Sequence, residues 1–321
     1  MPEETNRPPI PKPELIVRLA SPRGFCAGVE RAVRAVEDAL ARFGAPIYVR
    51  HEIVHNLHVV RRLEAMGAVF VESLDRVPPG RPVIFSAHGA PRAAFEDASD
   101  RGLLTIDATC PLVTKVHNEV RRHVSLGRHV ILVGHRGHPE VVGTMGQAPD
   151  GAVSLVETID EAAAFSPSEG PLAYVTQTTL SVDDTAAIVA LLERRFPGIV
   201  GPRKSDICYA TTNRQDAVKK IAPGAELVIV IGSPASSNSN RLVDAALTAG
   251  AKAARLVETP AEFDLAAIRG GVLGLTSGAS APEYLVETLL ARLALAFRLR
   301  IETVDSVRED VVFKQPLMLA S

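Results

Sequence analysis

The chain has 321 residues, 46% of them apolar and 22% charged, with a formal net charge of −2; this suits about two domains, or one large or internally repeated one, and excludes disorder for the bulk of it. An isoelectric point near 6.5 argues against a nucleic-acid binder that works by bulk positive charge, and apolar runs such as 227–231 are too short to span a bilayer. The opening MPEETNRPPIPKPE is Pro-rich and lacks the apolar core of a signal peptide, so a cytosolic protein is expected.

Residues 1–14 read as a flexible tail. A β-rich run follows at 15–19, then Cys26 just ahead of a helical pattern, Val29, Ala32, Val33, Val36 and Leu40. A strand at 46–49 leads to a polar tip, Val54-His55-Asn56, and a second at 83–86 ends in Ser86-Ala87-His88-Gly89. Cys110 is followed by Pro111, a residue favoured at the first helical position, and by Val113, Val116, Val120 and Val124 at helical spacing. Strand 130–133 leads to Gly137-His138-Pro139-Glu140, and strand 173–176 to Thr176-Gln177-Thr178-Thr179. A helix with Ile188, Leu191, Leu192 and Arg195 comes next, and Cys208 then leads into YATTNRQDAVKK. Strand 227–231 precedes Ser236-Ser237-Asn238, and strand 272–275 runs into Thr276-Ser277-Gly278-Ala279-Ser280. After the last long helix, 309–316 contains a strand-like VVF. Near-continuous apolar runs of four or five residues are the pattern of buried parallel strands, and their alternation with helices predicts an α/β fold with parallel sheets. No G-x-x-x-x-G-K-[ST] occurs, and no G-x-G-x-x-G follows a strand, which argues against an ATPase or a simple nicotinamide dehydrogenase.

The order cysteine, polar tip, polar tip recurs three times, predicting three small α/β lobes of about 90 residues each. Ligands of open parallel sheets bind beyond the carboxyl ends of the strands, where all six tips fall. Any one tip could simply cap the next helix. Six tips in register with three cysteines point instead to a shared cavity. The cysteines lie 84 and 98 residues apart with no CxxC, so they are free thiols or metal ligands in a reducing compartment. Each precedes a helix, whose N-terminus should lower the thiol pKa and favour the metal-binding thiolate. Three thiolates without a fourth suggest either a zinc site of Cys3His type or an iron–sulfur cluster with one iron lacking a protein ligand. His55, His88, His138, Thr178, Ser236, Ser237, Asn238 and Ser280 suit an oxygen-rich anion such as a diphosphate, which would favour the cationic form of a neighbouring histidine. Glu140, enclosed beside that anion, should have a raised pKa and could donate a proton.

RGFCAGVERAV, RHEIVHN, FSAHG, DATCPLVTKVH, GHPEVVGTMGQ, TQTTLSVDDT, GPRKSDICYATTNRQ, SSNSNRL and TSGASAP, in this order, resemble the 4-hydroxy-3-methylbut-2-enyl diphosphate reductases of the methylerythritol phosphate route to isoprenoids. The resemblance covers roughly residues 15–282. It implies a monomeric pseudo-threefold trefoil, with lobes at 28–109, 110–205 and 15–27 plus 206–297, and a C-terminal segment at 298–321. It implies a [4Fe–4S] cluster, seen as [3Fe–4S] once the labile iron is lost, held by Cys26, Cys110 and Cys208. It places the diphosphate on His55, His88, Ser236, Asn238 and Ser280, with Ser237 beside them and His138 serving both the anion and the protons. Glu140 matches the family's proton-relay carboxylate, with Thr178 as a relay candidate. The implied reaction removes the hydroxyl of an allylic diphosphate as water, with its oxygen at the open iron, to give isopentenyl and dimethylallyl diphosphate. It uses two electrons from an external donor such as ferredoxin or flavodoxin. Pro234 and Ala235 depart from the family pattern beside the diphosphate tip, and the stretch after residue 282 carries no expected site residue. A zinc hydrolase using Glu140 as base, and an iron-sensing or metabolite-binding module, are the competing readings; the first lacks H-E-x-x-H, and the second leaves Glu140 without a purpose.

Overall fold

The computed structural model describes residues 12–167, 170–268 and 270–319. In chain order the regular elements are β1 (Glu14–Ser21), α1 (Ala27–Phe43), β2 (Ile47–Arg50), α2 (Leu57–Ala65), β3 (Ala68–Val71), β4 (Pro82–Phe85), α3 (Arg92–Asp100) and β5 (Leu104–Asp107). Then come α4 (Pro111–Ser125), β6 (His129–Val133), α5 (Pro139–Met145), β7 (Val153–Val156), α6 (Ile159–Ala164), β8 (Leu172–Thr176) and α7 (Val182–Arg195). The last group is α8 (Tyr209–Ile221), β9 (Leu227–Ile231), α9 (Ser237–Thr248), β10 (Ala254–Val257), β11 (Gly271–Ser277), α10 (Glu283–Ala296) and β12 (Arg298–Asp305).

The strands form three separate sheets, ordered β3-β2-β4-β5, β7-β6-β8 and β10-β9-β11-β1-β12, and every pairing within them is parallel. Alternation along the strands sends side chains to two covered faces. In the largest sheet Val17, Ile229 and Leu275 pack under α10, while Val228 and Val230 pack under α8 and α9. The first sheet is covered by α1 and α2 through Val33, Val36 and Leu63, and the middle sheet by α4 through Val116 and Val120 and by α7 through Ile188 and Leu192. The result is three α/β lobes in a trefoil-like arrangement. Among the described residues no helix is long and apolar enough to cross a membrane.

The seven strands expected from sequence are β1, β2, β4, β6, β8, β9 and β11. The five missed, β3, β5, β7, β10 and β12, all lie at sheet edges. In β5, β7, β10 and β12 polar residues on half-buried faces interrupt the apolar run that marks a central strand, whereas β3, apolar throughout as AVFV, is the exception. β12 shows this well: its alternating RLRIETVD pairs with β1 from Glu14↔Arg298 to Ser21↔Asp305. The strand-like VVF at 311–313 is a correction, because that stretch is irregular and Val312 is 89% exposed. The tail expected at 1–14 falls outside the described residues up to position 11, and Glu14 already belongs to β1.

The first and middle lobes meet backbone to backbone. A Cβ on Gly143 would lie 3.2 Å from the backbone of Gly89 and Ala90, and one on Gly146 would fall on the Pro91 side chain and 2.9 Å from its Cα. Gln147 Nε2 donates to Ala90 O across the same seam (2.9 Å). Gly146→Ala is therefore expected to destabilise by about 1–3 kcal/mol, as overpacking does, read as a lower urea midpoint; an unchanged midpoint would show that the seam yields.

Candidate functional site

Each cysteine is the N-cap residue of a helix, Cys26 of α1, Cys110 of α4 and Cys208 of α8. Each starts a helix that covers one sheet and donates its backbone N–H to a carbonyl beyond a strand of a different sheet. Cys110 N–H binds Ala87 O beyond β4 (3.0 Å), Cys208 N–H binds Thr178 O beyond β8 (3.0 Å), and Cys26 N–H binds Ala279 O beyond β11 (3.2 Å). The three bonds run from the first lobe to the middle, from the middle to the largest and back to the first, closing a ring. All twelve residues singled out in the sequence line the single cavity inside it.

The thiols share the floor of this cavity. A Cβ on Gly28 would lie 2.6 Å from Cys110 Sγ and 3.8 Å from Cys26 Sγ, so a residue without a side chain leaves the space between two of them. The expected lowering of the thiol pKa by the helix N-termini is not what the structure gives. Burial, reinforced by the negative charge of a Cys26 thiolate, pushes Cys110 up to about 12 and Cys208 up to about 11. Backbone N–H groups and Thr211 favour the thiolates, but desolvation of a charged sulfur outweighs them. Thr211 escaped the sequence reading, although a hydroxyl at the third helical position was a visible signal. Its N–H donates to Cys208 Sγ (3.4 Å), and its hydroxyl shares a hydrogen bond with the same sulfur (3.2 Å). Among the described residues no group of three His, Cys, Asp or Glu could hold one metal ion.

Glu140 is buried in the first turn of α5. Its Oε1 accepts the Thr178 N–H (2.7 Å) and its Oε2 accepts the Thr178 hydroxyl (2.9 Å). Both bonds favour the carboxylate, yet burial prevails and raises its pKa to about 7. The carboxyl therefore titrates near neutrality, as a proton donor requires.

The same cavity is lined by three histidines. His55 stacks on His88 with centroids 4.1 Å apart, and His138 meets both edge-on at 5.5 and 5.8 Å. Burial and the neighbouring imidazoles hold His88 well below its ordinary value and His138 down to about 3, so the protein by itself favours neutral rings. An anion placed among them would act in the opposite sense. Several tips also cap helices: Asn56 Oδ1 accepts from His58 and Val59 N–H, His138 Nδ1 from Glu140 N–H, and Ser236 Oγ from Ser239 N–H. Capping and lining thus coexist. Ser280 Oγ donates to His55 O and Ser237 Oγ to Thr179 O. Both amide atoms of Asn238, and His55 Nε2, are buried without a protein partner. Such groups call for a polar ligand. Pro234 and Ala235 are exposed and turn away from the cavity, Pro234 O accepting from Asn240 Nδ2 (2.8 Å).

The LytB protein family matches residues 17–294. A curated protein of Hyphomonas neptunium named 4-hydroxy-3-methylbut-2-enyl diphosphate reductase is 58% identical over 96% of this chain and 99% of its own. One of the same name from Phenylobacterium zucineum is 57% identical over the same shares. The solved structure of the E-1-hydroxy-2-methyl-but-2-enyl-4-diphosphate reductase from Plasmodium falciparum superposes with a TM-score of 0.91 at 40% identity, covering 96% of this chain and 97% of that one.

A carboxyl whose pKa is raised on folding, here from 4.5 to about 7, holds an extra proton in the folded state between those values. Stability then falls as pH rises through that window. Glu140→Gln should therefore stabilise the metal-free chain above pH 7, by up to about 3 kcal/mol, with no gain at pH 4. Equal melting of the two proteins at pH 8 would contradict the raised value.

Proposed function

Because the chain belongs to the LytB protein family, we propose that it has the activity its relatives are named for: reductive dehydroxylation of (E)-4-hydroxy-3-methylbut-2-enyl diphosphate to isopentenyl and dimethylallyl diphosphate, as a cytosolic monomer fed by ferredoxin or flavodoxin. The observation that carries this reading is the convergence on one cavity of three thiols, a buried carboxyl titrating near 7 and a set of unpartnered polar groups. Three soft sulfur donors that line one cavity, with room between Cys110 and Cys26 kept open at Gly28, suit an iron–sulfur cluster. A [4Fe–4S] cluster held by Cys26, Cys110 and Cys208 would supply electrons, and Lewis acidity at the iron without a thiolate.

The remaining work falls to the protein. His55, His88, Ser236, Asn238 and Ser280, which line the same cavity as the thiols, hold the diphosphate and so fix the allylic alcohol relative to them. Hydroxide is a poor leaving group, so C–O cleavage needs a proton at the departing oxygen. Glu140 supplies it, directly or through the Thr178 hydroxyl on its Oε2. Two electrons and two protons balance the loss of one water. His138, neutral and hydrogen-bonded to the Glu140 N–H, orients the turn that carries the acid.

Anaerobically purified protein should carry about three to four irons and as many sulfides per chain, and should oxidise reduced viologen when the allylic diphosphate is added. Protein without iron after reconstitution would overturn the reading. Glu140→Gln should keep its iron and lose turnover by about 100-fold or more, the scale of general acid catalysis; near-parental turnover would remove Glu140 from its role. Gly28→Ala, whose methyl would press on Cys110 Sγ, should fold and yet fail to retain iron, and full iron content would refute the spacing argument.

A further inference from the structure

Arg214 is the largest fully buried side chain of the protein, and the thiol chemistry above does not use it. It lies on α8, six residues after Cys208. Its NH2 donates to Gly24 O (2.8 Å) and Phe25 O (3.4 Å), and its Nε to Gly24 O (3.2 Å), the two carbonyls just before Cys26. Its NH1 donates to Ala210 O within its own helix (3.0 Å). The fork is completed by Glu309, which lies beyond β12: NH1 to Oε1 at 3.0 Å and NH2 to Oε2 at 3.2 Å. Asn213 Nδ2 holds the same Oε1 at 3.0 Å. Tyr209 Oη, next to Cys208, accepts the Ala27 N–H (3.3 Å). One helix thus grips the Cys26 turn on both sides.

The same trailing segment touches the third thiol's surroundings. Arg31 on α1 donates to Thr109 O and Asp107 O, immediately before Cys110, and its Nε donates to Lys314 O (2.7 Å). Two arginines therefore tie pairs of cysteine-bearing segments together, and each is also bonded to residues 309–314.

We propose that Glu309 is a positioning residue of the three-thiol site: by fixing the Arg214 fork it sets the Cys26 turn against the Cys208 helix, and so the separation of those two sulfurs. A guanidinium out of water needs a full complement of acceptors and a countercharge, and a bidentate carboxylate gives both with one orientation. Without Glu309 the charge stays buried and unpaired, which a structure relieves by opening locally. The segment whose carbonyls the guanidinium holds is the 24–26 turn. The inference rests on the cluster reading for its purpose and not for its geometry.

Glu309→Ala tests it with two readouts. In the metal-free chain, alkylation by iodoacetamide followed residue by residue should speed up at least about tenfold at Cys26 and Cys208 and stay within about twofold at Cys110. In the reconstituted holoprotein, iron loss to a chelator should accelerate by a similar factor, and Glu309→Gln, which keeps an acceptor, should restore part of the retention. A general structural role predicts that all three thiols change together or none does, and either result overturns the proposal. Should Glu309→Ala fail to fold, Asn213→Ala, which loosens only the carboxylate's second donor, should show the same selectivity at about threefold; its absence overturns the proposal equally. If alkylation is selective but the protein never binds iron, the cluster reading fails and the positioning stands.

Discussion

Three backbone hydrogen bonds hold the site together. Cys110 N–H to Ala87 O, Cys208 N–H to Thr178 O and Cys26 N–H to Ala279 O each join the first residue of one lobe's helix to the strand tip of another. A helix N-terminus has orphan donors that must find acceptors. In this protein one acceptor comes from a neighbouring lobe, so satisfying each helix also fastens the trefoil. The cysteine is the residue that makes the bond, and its side chain is therefore delivered to the ring's interior.

Enclosure by three lobes sets the chemistry of everything inside. Desolvation raises Glu140 to about 7, pushes two thiols up to about 11 and 12 and keeps His88 and His138 neutral. These are one effect seen on acids and bases: in a low-dielectric cavity the uncharged form wins unless a partner charge is supplied. In the protein alone Cys110, Cys208, His88 and His138 are therefore held in their uncharged forms.

Much of this was legible in the sequence. Central strands are covered on both faces and carry continuous apolar runs, so β4, β6, β9 and β11 announced themselves. Edge strands such as β12 and β10 are half exposed, and only pairing with β1 or β9 makes them strands. That the twelve residues lining the cavity belong together was legible because three cysteines and six strand tips repeat in one order. Thr211 was missed because its bond to Cys208 Sγ is a local detail of one unit. The segment after β12 was passed over because the contact that ties it in, Glu309 with Arg214, joins residues 95 positions apart.

What the sequence determined by itself is therefore the local and the periodic: the α/β class, the threefold register, the helix starts and the kinds of groups available. These follow from propensity, capping and spacing, which act over a few residues. Only the tertiary structure decided which carbonyl each cysteine binds, how Gly28 separates Cys26 from Cys110, and that burial would overrule the helix N-termini at Cys110 and Cys208. Those outcomes depend on which surfaces exclude water and which distant groups meet, and no short-range pattern in the chain encodes either.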